Sequence, residues 1–237
     1  MCSSDLQVSR AKEVKSGAFN MDIEEENTIK NLITKFNIKC CVETGTYTGC
    51  TTEWFSNLVD DVYTVEITDR WYDFGFNKFR ANYKNNIQIT KASSEKWMNE
   101  LLPNIKQKYK TALFYLDAHW EEYWPLQDEL KAIVEHYNDS ENGYIIVIDD
   151  FKVPNRNYQF DSYKNQPNDI KFVEKEMSNL KEHVYFYKNR ANSYHHSLAP
   201  GCNGVGKLYI ISKNLFEINN IDENDIIVKE NDVNYNK

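Results

Sequence analysis

The sequence predicts an α/β fold of the doubly wound kind: a mostly parallel sheet with helices on both faces. Two observations carry this. Short, near-continuous apolar runs such as Ala112–Leu116 and Tyr144–Ile148 alternate with stretches of helical spacing, the pattern of strands buried on both faces. The first such run ends in an acid, Glu43, turns through Gly45 and Gly49, and re-enters a helix. The next ends about twenty residues later in a second acid, Glu66, and strand, glycine turn, helix and acid-tipped strand make half of a nucleotide-binding α/β unit.

The elements follow in order. Residues 1–20 show no period and read as a flexible N-terminal tail. Asp22 with Glu25 forms a capping-box-like start, after which Ile29, Leu32, Ile33 and Phe36 keep helical spacing. Lys39–Glu43 is the first strand, Cys50–Leu58 a helix and Val62–Glu66 the second strand. Tyr72–Tyr83 reads as helix, Ile87–Thr90 as a short third strand, and Ser94–Gln107 as helix. Ala112–Leu116 is the fourth strand, ending at Asp117. Pro125 opens a helix with Leu126, Leu130, Ile133 and Val134 on one face. The fifth strand, Tyr144–Ile148, ends at Asp149 and Asp150. Lys152–Asn168, rich in Asn, Pro, Tyr and Gln, reads as an irregular loop, and Asp169–Leu180 as helix. Val184–Tyr187 and Lys207–Ile211 are two further strands that pair as an antiparallel end to the sheet. Residues after Asn214 are acidic and weakly patterned. The expected organisation is thus a tail over 1–20, one domain over 21–214 and an acidic C-terminal tail over 215–237.

Bulk properties narrow the class. With 237 residues, 41% hydrophobic and 27% charged, the chain is globular and long enough for a real core. A net charge of -8 disfavours nucleic acid as the main partner, because phosphate binding needs a basic surface. The five cysteines form no CxxC pair, which argues against a zinc site or a disulfide framework; Cys40 and Cys41 read as reduced core residues. The first residues contain no apolar signal-like run and no later run is long enough to span a membrane. A cytoplasmic setting is expected.

Three phosphate- or nucleoside-binding loops compete for Glu43–Thr52. A P-loop needs Gly-Lys-Ser/Thr, which is missing. The dinucleotide fingerprint G-x-G-x-x-G does not fit the Gly45-x-x-x-Gly49 spacing. The third form, E/D-x-G-x-G-x-G, is met at Glu43, Gly45 and Gly49, with Tyr47 at the middle glycine. Gly45 and Gly49 let a ligand approach backbone closely where a Cβ would clash. Glu43 is suited to a methionine ammonium and Glu66 to two ribose hydroxyls, since a carboxylate can accept both.

On these residues the chain resembles the class I S-adenosylmethionine-dependent methyltransferases over roughly residues 39–212. The resemblance implies a Rossmann-like, doubly wound, mostly parallel seven-stranded sheet with an antiparallel last strand. It implies S-adenosylmethionine as cofactor. The cofactor-binding candidates are Glu43, Thr44, Gly45, Thr46, Tyr47, Gly49, Thr51, Thr52, Glu66, Ser93, Ser94 and Asp117. Ser93 and Ser94 would lie near the adenine, although a serine there is equally good as a helix N-cap.

The second chemical feature is acidic. Asp117, Asp149 and Asp150 end adjacent strands at the rim where open α/β sheets bind ligands. Three converging carboxylates repel unless a cation joins them, and an all-oxygen set suits Mg²⁺ or a similar hard divalent ion. Capping of backbone amides and a metal-free acid/base site are the alternatives. Leu116-Asp117-Ala118-His119-Trp120 and Ile148-Asp149-Asp150-Phe151 look like the metal-dependent sugar and macrolide O-methyltransferases. That likeness implies Asp117, Asp149 and Asp150 as metal ligands and an ion that lowers the pKa of the acceptor hydroxyl. Asp117 and His119 are the catalytic candidates. His119 is either a general base or a loop histidine packing on Trp120 or Trp124. His195 and His196 with Tyr194 line the acceptor pocket or a solvated loop, and Trp120, Tyr123 and Trp124 stack on a sugar or pack the core.

The expected activity is O-methylation of a hydroxyl on a small molecule or glycan, without nucleic-acid or membrane partners; a homo-oligomer is compatible with this. A non-catalytic cofactor-binding module and a hydroxylase-like relative are the competing readings.

Overall fold

A computed structural model of the chain describes residues 17–119, 123–139, 141–188, 202 and 204–221. The central sheet is built from β1 (Cys40–Thr44), β2 (Asp61–Glu66), β3 (Ile87–Lys91), β4 (Thr111–Leu116), β5 (Gly143–Ile148), β8 (His183–Phe186) and β9 (Leu208–Ser212). Their order is β3-β2-β1-β4-β5-β9-β8. The first five run parallel, and β9 runs antiparallel to both β5 and β8. The predicted seven-stranded, doubly wound sheet is therefore present. Its antiparallel last strand sits one place in from the edge.

The strands form where the sequence is continuously apolar because both faces are covered. β1, β5 and β9 are buried at every position. On one face α4 (Ser94–Lys108), α5 (Leu126–Tyr137) and α6 (Ile170–Ser178) pack Trp97, Met98, Leu102, Leu130, Ile133 and Val173 against the sheet. The other face takes Ile29, Leu32, Ile33 and Phe36 from α1 (Ile23–Lys35) and the turn after it, with Phe55 from α2 (Cys50–Phe55). The predicted cap on α1 is present: Asp22 accepts a hydrogen bond from Glu25 N–H at 3.0 Å. The helix α3 (Asp69–Ala81) begins three residues before the expected Tyr72, which brings Trp71 into its first turn.

Helical elements extend past both ends of the expected 21–214 span. A 3-10 turn over Ala18–Met21 buries Ala18 and Phe19, and Phe19 meets the rings of Trp54, Phe55 and Tyr115 edge-on. This end of the expected tail is part of the core, held by an aromatic cluster rather than by a periodic pattern. Likewise α7 (Lys213–Asn219) continues past 214, and Leu215 and Phe216 are buried. Gly143 has no room for a Cβ because Leu215 lies against it. The Lys152–Asn168 loop also carries structure, a two-residue hairpin of β6 (Ser162–Tyr163) and β7 (Gln166–Pro167).

Cys40 and Cys41 are buried, and the described cysteines, these two with Cys50 and Cys202, are all free thiols. Among the described residues no helix is long and apolar enough to cross a membrane.

Candidate functional site

The strand order reverses at β1, which has β2 on one side and β4 on the other. Connections leaving a sheet in opposite directions open a crevice at the strand C-termini. A cavity of about 440 Å³ lies there, reached by Gly45 and Tyr47 after β1, Glu66 after β2, Ser94 on α4, Asp117 and His119 after β4, and Asp149 and Asp150 after β5.

The glycine turn is fixed by geometry that no other residue supplies. Gly45 has φ +84°, and a Cβ there would lie 2.8 Å from the carbonyl oxygen of Asp117. Asp117 N–H in turn donates to the Thr44 carbonyl at 3.2 Å, so the ends of β1 and β4 touch through this glycine. Gly49 has φ +66° and faces the Phe79 ring, 2.6 Å from where a Cβ would sit. It caps α2 from outside the cavity. Tyr47, at the expected middle glycine, also takes the left-handed region with φ 46°. A non-glycine residue there costs on the order of 1 kcal/mol. Its ring stands against Trp71, centroids 4.3 Å apart, and forms a wall of the cavity.

Glu66 is the fastener of this half. Its Oε2 accepts from Tyr47 N–H at 2.9 Å, and its Oε1 accepts from Thr68 N–H and Thr68 Oγ1–H, both at 2.9 Å. A carboxylate offers about four acceptor sites, so one remains, on Oε2. Glu66 as it stands can take one ribose hydroxyl, and a second only if the Thr68 hydroxyl turns away.

Glu43 does not line the cavity. It lies behind the turn, where its Oε2 accepts from Thr52 Oγ1 at 2.5 Å and Thr64 Oγ1 at 2.7 Å. Burial pushes its pKa up to about 7 against these hydrogen bonds. Through Oε2 it joins β1, α2 and β2 behind the turn. Several other cofactor candidates also make hydrogen bonds within the fold. Thr46 and Thr64 hydroxyls bond each other at 2.7 Å, Thr51 Oγ1 accepts from Phe19 N–H at 3.1 Å, and Thr44 Oγ1 accepts from Asp117 N–H at 3.2 Å. Ser93 is the N-cap of α4 and Ser94 reaches the cavity.

Charge dominates the opposite half. Asp117 and Asp150 have pKa values pushed well above the ordinary carboxylate range, first by burial and then by neighbouring acids: Asp149 beside both, with Asp161 adding to Asp150. Asp149 differs. Burial pushes it up as well, but the Lys207 ammonium, the Tyr115 hydroxyl and the Asp150 N–H hold it below the usual value. Lys207, itself buried, forms an ion pair with Asp149 Oδ1, and Tyr115 donates to Asp149 Oδ2. Of the three carboxylates expected to hold a metal, Asp149 already has a cation. The donors that converge are Asp117, His119 and Asp150, whose ligating atoms lie within 4.8 Å of one another. Asp150 is held in left-handed backbone, φ 48°, and its carbonyl accepts from Asp161 N–H at 2.9 Å. Asp161 Oδ2 stands 3.3 Å from His119 Nδ1.

Trp124 packs into the core, stacked on Phe172 with centroids 5.0 Å apart, rather than on a ligand. Tyr123 donates to Asp128. His195, His196, Tyr194 and Trp120 lie outside the described residues. Sequence reasoning missed Asn20, Trp71 and Gln159 among the lining residues, and Lys207 and Asp161 beneath them. Only Trp71 carried a local signal, as an aromatic one turn after the acid that ends β2.

No protein-family model matches the sequence, and no curated protein matches it. Solved structures do. An O-methyltransferase from Bacillus cereus, determined in complex with SAH, matches with a TM-score of 0.59 over 88% of this chain and 88% of its own, at 14% identity. The methyltransferase domain of bacterial CtHen1 matches with a TM-score of 0.52 over 79% of this chain and 97% of its own, at 12% identity. An Aquifex aeolicus SAM-dependent methyltransferase matches at a TM-score of 0.50, over 77% of this chain and 88% of its own, at 11% identity. The chain has the fold of the class I S-adenosylmethionine-dependent methyltransferases.

Proposed function

We propose that the protein is an S-adenosylmethionine-dependent O-methyltransferase acting on a hydroxyl of a small molecule or glycan, with a divalent cation assisting. The observation that carries this is the single cavity joining a nucleoside-type half, Gly45 and Glu66, to an acidic half, Asp117 and Asp150. A methyl donor and its acceptor need such adjacency, because most of the rate in a displacement comes from holding the two in near-attack geometry. The fold and the SAH-bound Bacillus cereus neighbour support the cofactor, and the Gly45 cradle, where a Cβ would strike Asp117 O, fits it. The acidic half fits a cation: its half-buried carboxylates repel one another, and Lys207 pairs directly with Asp149 while reaching Asp117 and Asp150 only through space. Free buried thiols support a reducing compartment such as the cytoplasm.

S-adenosylmethionine supplies the methyl group when bound, and Glu66 orients its ribose. Asp117 and Asp150 would hold the cation, which would polarise the acceptor oxygen and lower the hydroxyl pKa. His119 takes the hydroxyl proton. Asp161, 3.3 Å from Nδ1, favours the tautomer protonated on that nitrogen and leaves the Nε2 lone pair as base.

Calorimetric titration with S-adenosylmethionine and S-adenosylhomocysteine tests the reading. Both should bind, and Glu66→Ala should weaken them by about ten- to a hundredfold, the loss of one or two charged hydrogen bonds. If neither ligand binds the intact protein, the reading is wrong.

A further inference from the structure

Next to the main cavity, and sharing Asp117, His119 and Asp150 with it, lies a second void of about 10 Å³, lined also by Asp161, Asn168 and Glu129. Its polar lining has a surplus of acceptors. Asn168 is almost wholly buried, at 1% exposure. Its Nδ2 donates to the carbonyls of Asp149 at 3.0 Å and Asp150 at 3.2 Å. Those two bonds fix which end of the amide is oxygen, and that Oδ1 is buried with no hydrogen-bond partner. An orphaned buried carbonyl costs about 1–3 kcal/mol and needs an explanation. The void has room for about one water-sized sphere, and an amide oxygen beside carboxylates is a donor set for a hard cation.

We infer that Asn168 Oδ1 is a further ligand of the divalent cation held by Asp117 and Asp150, an assignment that rests on the cation reading above. Asn168 sits at the far end of the Lys152–Asn168 loop, which is already tied to the strand ends. Asp161 N–H donates to the Asp150 carbonyl and Asn168 N–H to the Asp161 carbonyl, each at 2.9 Å. Lys152 N–H donates to the Asn168 carbonyl at 2.6 Å. Ligation by Asn168 makes the order of this loop, which borders the acceptor side of the cavity through Gln159, depend on the ion.

Mn²⁺ is the probe, with its affinity for the full chain followed by electron paramagnetic resonance. The intact protein should bind Mn²⁺, and Asn168→Ala should weaken binding by about tenfold or more, the usual scale for losing a metal contact. Asn168→Asp distinguishes ligation from the clamp on the strand-end carbonyls. It loses the Nδ2 donors as the alanine does, yet restores an oxygen and adds charge, so it should bind Mn²⁺ at least as tightly as the intact protein. Equal affinity in all three proteins overturns the Asn168 assignment alone, and a water then fills the void. Equal weakening in both variants also overturns it, leaving Asn168 as a clamp. No Mn²⁺ binding by the intact protein overturns the cation reading and this assignment with it.

Discussion

The two halves of the cavity solve opposite problems. Around β1 and β2 the polar groups satisfy one another: Glu43 takes two threonine hydroxyls, Glu66 takes three donors, and Thr46 pairs with Thr64. Around β4 and β5 the acids crowd, and the cation built in among the described residues, Lys207, pairs directly with Asp149 and reaches Asp117 and Asp150 only through space. A half that is complete without its ligand is preorganised and changes little when the ligand arrives. A half with surplus, partly buried charge is strained until a cation or a proton comes. On the proposed function, cofactor and chemistry are thus separated in electrostatic character as well as in space.

The sharpest way to break this contrast is to remove the one cation the acidic half contains. Lys207→Met leaves Asp149 buried and ionised with only the Tyr115 hydroxyl and a backbone amide beside it. Breaking one partner of a buried pair costs about 3–5 kcal/mol, and urea unfolding should show a loss of that size. The double variant Lys207→Met/Asp149→Leu removes both charges and should recover most of it, since a buried pair replaced by apolar groups is often neutral. A single variant as stable as the parent would mean that the pair contributes nothing and that Asp149 is free to serve as a ligand.

The quieter half has a weaker lever, in pH. The Glu43 pKa is pushed up to about 7 by burial, partly countered by Thr52 and Thr64. The folded protein therefore binds the Glu43 proton more tightly than the unfolded chain does. The stability this gives is fully present below about pH 4.5 and declines as pH rises to about 7. Glu43→Gln removes that decline while keeping an oxygen for the two hydroxyls. The variant should match the parent near pH 4.5 and exceed it above pH 7 by on the order of 2–3 kcal/mol, read from denaturant midpoints across pH. A parent advantage that persists at pH 8 would show that the carboxylate is stabilised by something the hydrogen bonds do not reveal.

Most of this architecture was legible because buried parallel strands read as unbroken apolar runs, and their C-terminal acids mark the rim. Glu66 and Asp117 were found that way. What local pattern could not reveal came from distance in the chain. Lys207 lies 58 residues from Asp149 and reaches it only because β9 turns antiparallel beside β5. Glu43 fits the motif, but only the hydroxyls of Thr52 and Thr64 show that its carboxylate faces inward. Phe19 reaches the core on a backbone with φ 48°, which has no periodic signature. Asp161 and Asn168 lie in a polar loop whose composition suits any exposed segment; only its approach to His119 singles out Asp161, and burial with the orphaned oxygen singles out Asn168.

The smallest expected effect lies at the residue that departs from the glycine pattern. Tyr47→Gly relieves left-handed strain of on the order of 1 kcal/mol and forfeits an edge-on contact with Trp71 worth about 0.5–1.5 kcal/mol. The two nearly cancel, so the melting temperature should move by no more than about 2–4 °C. Cofactor affinity should not cancel in the same way. The Tyr47 N–H still reaches Glu66 Oε2 from the backbone, so the ribose acceptor stays oriented, and what is lost is the aromatic wall at the cavity's edge. A fall in S-adenosylmethionine affinity of about three- to tenfold, the scale of one aromatic contact, would make Tyr47 a cover over the donor half. Unchanged affinity would mean that the ring serves Trp71 alone, and that the preorganised half owes its shape to Gly45 and Glu66.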